Sequence, residues 1–174
     1  MKDLRKQFLG LIEDVGFASR GEDFDENSGS MEIVKAVICS GLYPNIAKVK
    51  PIVKEGQIKY CVFETKKGTV YVHPSSKMFK VNEWPSKYVV FYEKVKTSNI
   101  YIRDCTMVSP LALLTFGGAL KIYHKENRIT VDRWISLGAA AKLAVLCKRL
   151  REKLDELLAK KMKNPNYETY DTAV

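Results

Sequence analysis

The sequence has no long hydrophobic stretch, because none of its apolar runs reaches the roughly 18 residues that a membrane-spanning helix needs. Near its start, Asp3, Glu13 and Asp14 interrupt the apolar segment that a secretion signal requires. The sequence therefore excludes a spanning helix among these residues, and we expect no membrane partner.

Cysteine is scarce and widely spaced. The four cysteines are at least 22 positions apart, so there is no C-x-x-C pair for zinc binding or redox chemistry. Each lies in an apolar run, which predicts buried free thiols, and no N-x-S/T glycosylation acceptor occurs. These features predict an intracellular protein, cytoplasmic or nuclear or both.

Catalytic motifs are also missing. Gly16 and Gly21 have the spacing of a phosphate-binding loop, but Glu22-Asp23 stands where that loop requires Lys and Ser or Thr. The two histidines, His73 and His124, are 51 positions apart and have no neighbouring cysteine, so no metal site is predicted. We expect no catalytic residues, no enzymatic activity and no cofactor in this chain.

Charge is abundant and unevenly distributed. The net charge is +9, yet residues 1–30 carry −3 and residues 31–174 carry +12. A basic fold of this size attracts polyanions, which favours a nucleic-acid partner. The alternatives are an acidic protein, a membrane surface, or a basic surface that only maintains solubility.

Hydrophobic periodicity divides the chain into helical and extended parts. Helical spacing covers residues 3–17 and 31–41, and an acidic, Gly- and Ser-bearing linker separates them. Ser30 and Ser109 are predicted helix N-caps. Alternation predicts strands, and a final helix follows them with an apolar stripe of Leu143, Cys147, Leu150, Leu154 and Leu157. The predicted strands are 46–53, 58–65, 69–73, 88–96 and 100–106, with shorter extended pieces at 120–124, 129–131 and 134–137.

This pattern predicts a mainly β fold with flanking helices. Its centre is a five-stranded barrel of the OB type, with N-terminal helices and a long C-terminal helix over 138–163. An SH3-like barrel and an open α+β sheet remain alternatives. The predicted domain organisation is an N-terminal helix with an acidic linker (1–30), the OB-type module (31–137), and the C-terminal helix with a frayed tail (138–174).

The strongest functional signal is the strand–turn–strand segment 91–106. Its lysines and arginine can neutralise phosphates, its hydroxyls can orient a backbone, and its two tyrosines, Tyr92 and Tyr101, can stack on a base. The candidate residues are Lys94, Lys96, Thr97, Ser98, Tyr101 and Arg103. The alternative interpretation is a solvent-exposed strand edge protected by lysines.

A second candidate lies in the Pro-containing loop of segment 72–80. The imidazole of His73, the hydroxyls of Ser75 and Ser76, and the ammonium of Lys77 suit contact with a phosphodiester. The alternative is an ordinary turn whose serines bond to their own backbone.

Several segments carry a family resemblance: IVKAVICSGLYPNIAKVK, VYVHPSS, VFYEKVKTSNIYIRDCTMVSPLALLTFGG, VDRWISL and LCKRLREKLDELLAKKMKNP. In this order they resemble the OB-fold region at the C-terminus of DEAH/RHA-type (DExH-box) ATP-dependent RNA helicases. The opening LRKQFLGLIEDVGF is similar to the end of the ratchet domain that precedes that region. Within the family, the resemblance is nearest to the branch that resolves G-quadruplexes.

The resemblance implies a barrel that lies over the RNA channel and contacts single-stranded RNA through its polar loops. It places that contact on the loop of His73, Ser75 and Ser76, on Lys94, Lys96, Thr97 and Ser98, and on Tyr101 and Arg103. ATP and Mg²⁺ would belong to motor domains of a parent helicase, partners in cis. The expected function is capture of single-stranded RNA or DNA, including G-quadruplexes. The alternative is a docking module that binds no nucleic acid.

Overall fold

The computed structural model describes residues 2–16, 27–81, 83–165 and 167. Its helices are α1 (Lys2–Asp14), α2 (Met31–Leu42), α3 (Pro110–Phe116) and α4 (Ala141–Lys163). Its strands are β1 (Ile46–Lys54), β2 (Gln57–Thr65), β3 (Gly68–Val72), β4 (Tyr88–Lys96), β5 (Ile100–Val108), β6 (Leu120–Tyr123), β7 (Arg128–Val131) and β8 (Ile135–Gly138). Short 3₁₀ turns cover Lys77–Lys80 and His124–Glu126.

Five strands form a closed barrel in the order β1-β2-β3-β5-β4. β1 pairs with both β2 and β4, which closes the barrel, and β3 pairs with β5 in parallel while the other neighbours are antiparallel. The predicted mainly β fold with an OB-type barrel and flanking helices is confirmed, and the open-sheet alternative is wrong. The short extended pieces form a separate antiparallel sheet, β6-β7-β8.

The parallel pair determines where the turns lie. Because β3 and β5 run in the same direction, the β2–β3 turn and the β4–β5 turn are at the same end of the barrel. The loop that follows β3 lies further along β5, where the backbone N–H of His73 donates to the carbonyl of Ile102. The tight β2–β3 turn needs a positive φ, which Gly68 adopts at 119°.

Strand alternation separates two hydrophobic cores. The barrel interior is filled by Ala47, Phe63, Val70, Val72, Val89, Phe91 and Ile102. The outer side of β4 and β5 packs with α2, α3, α4 and the small sheet in a second core that includes Cys39, Tyr88, Val90, Leu113, Ile129, Ile135, Ala144 and Cys147. One side of the barrel is therefore covered by the helices and the small sheet. The outer surface of β2, β3 and the first residues of β5 is not part of this second core.

Several local predictions need correction. The last helix begins at Ala141, because residues 135–138 are taken by β8. The predicted stripe of α4 is only partly packed: Cys147 is buried, but Leu143 and Leu150 are about half exposed, and Ala144 takes part in the core instead. The Ser109 hydroxyl accepts from the Ala112 N–H as predicted, whereas Ser30 makes no side-chain cap bond.

The prediction of four buried thiols is confirmed for Cys39 and Cys147 but wrong for Cys61 and Cys105, which are partly exposed. Burial raises the pKa of the Cys39 thiol to about 11, so it stays protonated at neutral pH. The central part of the predicted acidic linker, residues 17–26, and the predicted tail, residues 168–174, lie outside the described residues.

Candidate nucleic-acid interface

The loop after β3 holds His73 between a serine and an arginine. Nε2 of His73 is 3.0 Å from a terminal nitrogen of Arg103, and Nδ1 is 2.7 Å from Oγ of Ser75. Because a guanidinium can only donate, Nε2 accepts from Arg103, and the backbone N–H of Ser75 donates to Nδ1 at 3.1 Å. The imidazole is thus held in one orientation by partners on both ring nitrogens.

Arg103 is occupied by neighbours of its own. Its second terminal nitrogen lies 3.7 Å from a carboxylate oxygen of Glu93, the residue opposite it on β4. Its Nε is buried and has no hydrogen-bond partner among the residues that the structure describes. Most of the guanidinium therefore faces protein groups, so Arg103 positions His73 more than it offers a free charge.

Aromatic rings cover the surface of β2, β3 and β5, which we call the aromatic face (Tyr60, Tyr71, His73 and Tyr101). Tyr71 lies opposite Tyr101 in the parallel pair, with ring centroids 6.4 Å apart, and His73 packs edge-on against Tyr101 at 5.5 Å. Tyr60 is 48% exposed and Tyr71 is 37% exposed. These rings present π surfaces on which a base can stack.

A cleft of about 350 Å³ opens beside this face. It lies between β2–β3 and the 3₁₀ turn, and Tyr60, Tyr71, Met78, Phe79 and Trp84 line it. Trp84 is fixed by an edge contact to Phe63 at 4.9 Å and by donation from its indole N–H to the Val81 carbonyl at 2.9 Å. The cleft has a rigid apolar floor and an aromatic rim.

The remaining predicted loop residues lie just before or at the start of the 3₁₀ turn whose Met78 and Phe79 line this cleft. Ser76 caps the 3₁₀ turn, since its hydroxyl accepts from the Met78 N–H at 3.4 Å. Lys77 follows it and is exposed. The predicted self-bonding of the serines in this turn is therefore real for Ser76, while Lys77 and Ser75 face solvent.

Close to Tyr101, which is the second residue of β5, Lys96, Thr97 and Ser98 belong to the exposed β4–β5 turn, at the same end of the barrel as the β2–β3 turn. The turn is closed by donation from the Thr97 N–H to the Asn99 carbonyl at 2.8 Å. Its hydroxyls make no side-chain hydrogen bond within the described part of the chain, so they are available to a ligand.

Lys94 lies at the same end but on a different face from Arg103. It is opposite Ile102, which is fully buried in the barrel, and its ammonium is 3.3 Å from the hydroxyl of Thr65. Burial lowers the pKa of Lys94, and the nearby positive charge of Lys67 lowers it further. We call Lys66, Lys67, Lys94 and Lys96 the lysine end.

The structure thus separates the predicted site residues into two groups. His73, Ser75, Ser76, Lys77, Tyr101 and Arg103 meet around the aromatic face, whereas Lys94, Lys96, Thr97 and Ser98 belong to the lysine end. Sequence reasoning missed Tyr60, Tyr71, Lys66 and Lys67. The two lysines lie in the Lys66-Lys67-Gly68 segment between the predicted strands 58–65 and 69–73, a sequence typical of a tight hairpin turn, whose charge is the signal that could have found them.

Two negative findings concern the described residues alone. No group of three or more His, Cys, Asp or Glu side chains within them could hold a metal ion. No helix in the same part of the chain is long and apolar enough to cross a membrane.

Comparison with known proteins agrees with this architecture. Residues 34–120 match the family described as the oligonucleotide/oligosaccharide-binding (OB)-fold, and residues 127–174 match the C-terminal domain in RNA helicases. The chain is 40% identical over 171 residues to the DExH-box ATP-dependent RNA helicase DExH1 of Arabidopsis thaliana, covering 95% of this chain and 17% of that protein.

Two human proteins are also similar. The identity is 36% over 172 residues with the ATP-dependent DNA/RNA helicase DHX36 of Homo sapiens, covering 95% of this chain and 17% of that protein. It is 30% over 178 residues with the ATP-dependent RNA helicase DHX29 of Homo sapiens, covering 95% and 13%. The chain spans less than a fifth of these relatives, and it belongs to the family of OB-fold C-terminal modules of DExH-box RNA helicases.

Proposed function

We propose that this chain is the nucleic-acid-binding module of an ATP-dependent RNA helicase. It captures a single strand of RNA or DNA through backbone contacts and base stacking, while motor domains elsewhere in the longer protein unwind the duplex. Family membership and a net charge of +9 support this proposal.

The observation that carries the proposal is the packing of rings and polar loop on one barrel surface. Tyr71 and Tyr101 are paired across β3 and β5, and His73, fixed by Arg103 and Ser75, extends the same surface. Stacking on aromatic side chains is tolerant of base identity, and phosphate contacts orient the strand without specifying sequence. Such a surface suits a strand that must slide.

The roles follow from these positions. Tyr71 and Tyr101 stack on bases, and His73 and Ser75 contact the adjoining backbone. Lys77 supplies charge next to the His73 loop, and Lys96, Thr97 and Ser98 contact phosphates at the β4–β5 turn. Arg103 holds His73 in place. ATP and Mg²⁺ act on the motor domains, and no chemical step is assigned to this chain.

The finer substrate that we propose is a G-quadruplex RNA or DNA, on the basis of the resemblance of the sequence motifs to the quadruplex-resolving branch of the family. The relative named DHX36 is called a DNA/RNA helicase, which fits a module that accepts both backbones. Quadruplex strands present stacked bases and closely spaced phosphates, the two features that the aromatic face and the lysine end address.

The proposal is tested by fluorescence anisotropy of labelled single-stranded RNA, DNA and G-quadruplex RNA at several salt concentrations. We expect saturable binding whose affinity falls linearly on a log–log plot against salt, because phosphate neutralisation releases counterions. Tighter binding of the quadruplex than of an unstructured strand would support the finer substrate. A folded chain that binds none of them at low salt would refute the proposal.

One observation favours a second function, which is docking onto the helicase core in cis. α1 and α4 expose large apolar side chains: Leu4, Phe8, Leu9 and Leu11 on the first, and Leu146, Leu150 and Met162 on the second. Exposed apolar surface of this extent marks interaction sites. Concentration-dependent self-association in sedimentation velocity, abolished by polar substitutions on α4, would support docking, and it can coexist with nucleic-acid binding.

A further inference from the structure

A second cleft lies at the lysine end, between the barrel and the small sheet. Its volume is about 410 Å³, and Asn45, Thr65, Lys66, Lys67, Lys94 and Trp134 are among its lining residues. We call it the lysine pocket. It is distinct from the cleft beside the aromatic face, with which it shares no lining residue.

The three ammonium groups of the lysine pocket have no ion-pair partner in the part of the chain that the structure describes. Lys94 approaches the Thr65 hydroxyl, and that hydroxyl donates to the Gly68 carbonyl at 2.9 Å, so it gives Lys94 no counter-charge. Gathering like charges without a counter-ion costs free energy unless an anion joins them.

The one carboxylate that lines the pocket is already occupied. One oxygen of Asp132 accepts from the Ala119 N–H at 2.8 Å, and the other accepts from the hydroxyl of Tyr43. Asp132 therefore holds the segment between α3 and β6 through Ala119. Its two carboxylate oxygens accept hydrogen bonds from Ala119 and Tyr43 and not from the lysines of the pocket. The pocket remains positive on the side of the β2–β3 turn.

An apolar wall faces the lysines. Trp134 and Phe91 line the pocket, and the carbonyl of Trp134 accepts from the Lys48 ammonium at 2.7 Å, which also lies 4.9 Å from the ring centroid. The tryptophan is thus held in position, and its apolar surface lowers the local dielectric. Coulomb attraction of an anion to the three lysines is stronger there than in open water.

We propose that the lysine pocket binds a backbone phosphate of a single-stranded nucleic acid, gripped by Lys67 and Lys94 with Lys66 at its rim. This inference rests on the proposed function and adds a second contact site, on the face of β4 that carries Lys94 rather than the face that is continuous with Tyr101 and Arg103. The exposed hydroxyls of Thr97 and Ser98 at the same end continue the path toward the aromatic face.

The test uses ¹⁹F NMR of the chain labelled with 5-fluorotryptophan, because only two tryptophans are present and one lines each cleft. The probes are inorganic tripolyphosphate and an eight-residue oligouridylate, and a Trp134→Phe variant assigns the signals. We expect oligouridylate to shift the Trp134 resonance. In Lys67→Gln/Lys94→Gln that shift disappears and the log–log salt slope of RNA binding falls by about two.

Lys121→Gln/Lys125→Gln is the matched control, since it also removes two exposed lysines, on or next to β6, and neither of them lines the pocket. It should leave both the shift and the salt slope unchanged. Circular dichroism melts of each variant establish that the protein is folded.

The outcomes separate the two proposals. RNA binding with an unmoved Trp134 signal and an unaltered salt slope in Lys67→Gln/Lys94→Gln would overturn the pocket and leave the proposed function standing. A Trp134 shift with tripolyphosphate but no binding of oligouridylate would overturn a nucleic-acid occupant together with the proposed function. A shift with both probes, lost in the double variant, would support the pocket.

Discussion

The aromatic face and the lysine end differ in how completely their charged groups are paired. On the aromatic face, Arg103 already contacts His73 and Glu93, and the rest of the surface is made of aromatic rings. At the lysine end, Lys66, Lys67 and Lys94 surround a cleft without a free carboxylate. The difference shows that a basic residue in a strand predicts a free charge only when its cross-strand neighbours leave it unpaired.

The two regions also differ in how many contacts hold their side chains in position. His73 is fixed by partners on both ring nitrogens, whereas the lysines are long side chains with a single weak contact, Lys94 to Thr65. We therefore assign stacking and register to the aromatic face and salt-dependent affinity to the lysine end. Substitutions should separate these two contributions.

The largest expected effect is charge reversal at the lysine end. Lys94→Glu/Lys96→Glu replaces two attractions with two repulsions and should weaken single-stranded RNA binding by about 2–3 kcal/mol, roughly 30-fold or more. Anisotropy at fixed low salt measures the loss. The control Lys121→Glu/Lys125→Glu changes net charge equally on the small sheet and should have a much smaller effect. Normal binding by the first variant would remove Lys94 and Lys96 from the interface.

The next effect concerns the aromatic face. Tyr71→Ala should weaken RNA binding by about 1–2 kcal/mol and leave the salt slope unchanged, because stacking neutralises no phosphate. Tyr92→Ala is the matched control, since Tyr92 is 70% exposed and takes no part in this face. If Tyr71→Ala lowered the salt slope instead, the division of roles between the regions would be wrong.

A third prediction concerns stability. Arg103→Met removes the donor to His73 and the neighbour of Glu93, so we expect the free energy of unfolding to fall by about 1–2 kcal/mol. The salt slope of RNA binding should stay within experimental error, because the guanidinium is not a free phosphate contact. Urea denaturation and anisotropy test the two parts, and a lowered slope with unchanged stability would reverse the assignment.

The smallest effect is a pKa change. Desolvation and Lys67 hold the pKa of Lys94 below its usual value, so Lys67→Gln should raise it. In the unsubstituted protein, therefore, the unfolded chain binds the Lys94 proton more firmly than the folded chain does. The resulting cost to stability is present at neutral pH and declines as pH rises above the folded-state pKa. An NMR titration of the Lys94 side chain checks the direction, and an unchanged pKa would argue against a shared pocket.

Much of the barrel could be predicted from the sequence. The runs of Tyr, Val, Ile and Phe in β2 and β4, together with the Lys66-Lys67-Gly68 turn, define those strands within one or two residues, because aromatic and β-branched residues favour strands. Ser109 followed by Pro110 predicted the start of α3 for a local reason, a hydroxyl that caps the first turn. These features depend only on neighbouring residues.

Long-range placement could not be predicted in the same way. The contact between His73 and Arg103 depends on the parallel pairing of β3 with β5, and the approach of Lys94 to Lys67 depends on barrel closure. The packed face of α4 was misjudged because the stripe through Leu143 and Leu150 is apolar by sequence, whereas Ala144 and Cys147 make the contact. A periodic pattern identifies a helix but not the row that is covered.

The most direct measurement is ¹H–¹⁵N NMR mapping of the chain titrated with single-stranded RNA. We expect the largest shifts in two separate sets of amides, residues 66–75 around the β2–β3 turn and the His73 loop, and residues 94–101 around the β4–β5 turn. Shifts confined to α1 and α4, or none at saturating RNA, would contradict the assignment of nucleic-acid binding to the barrel and would favour the docking function.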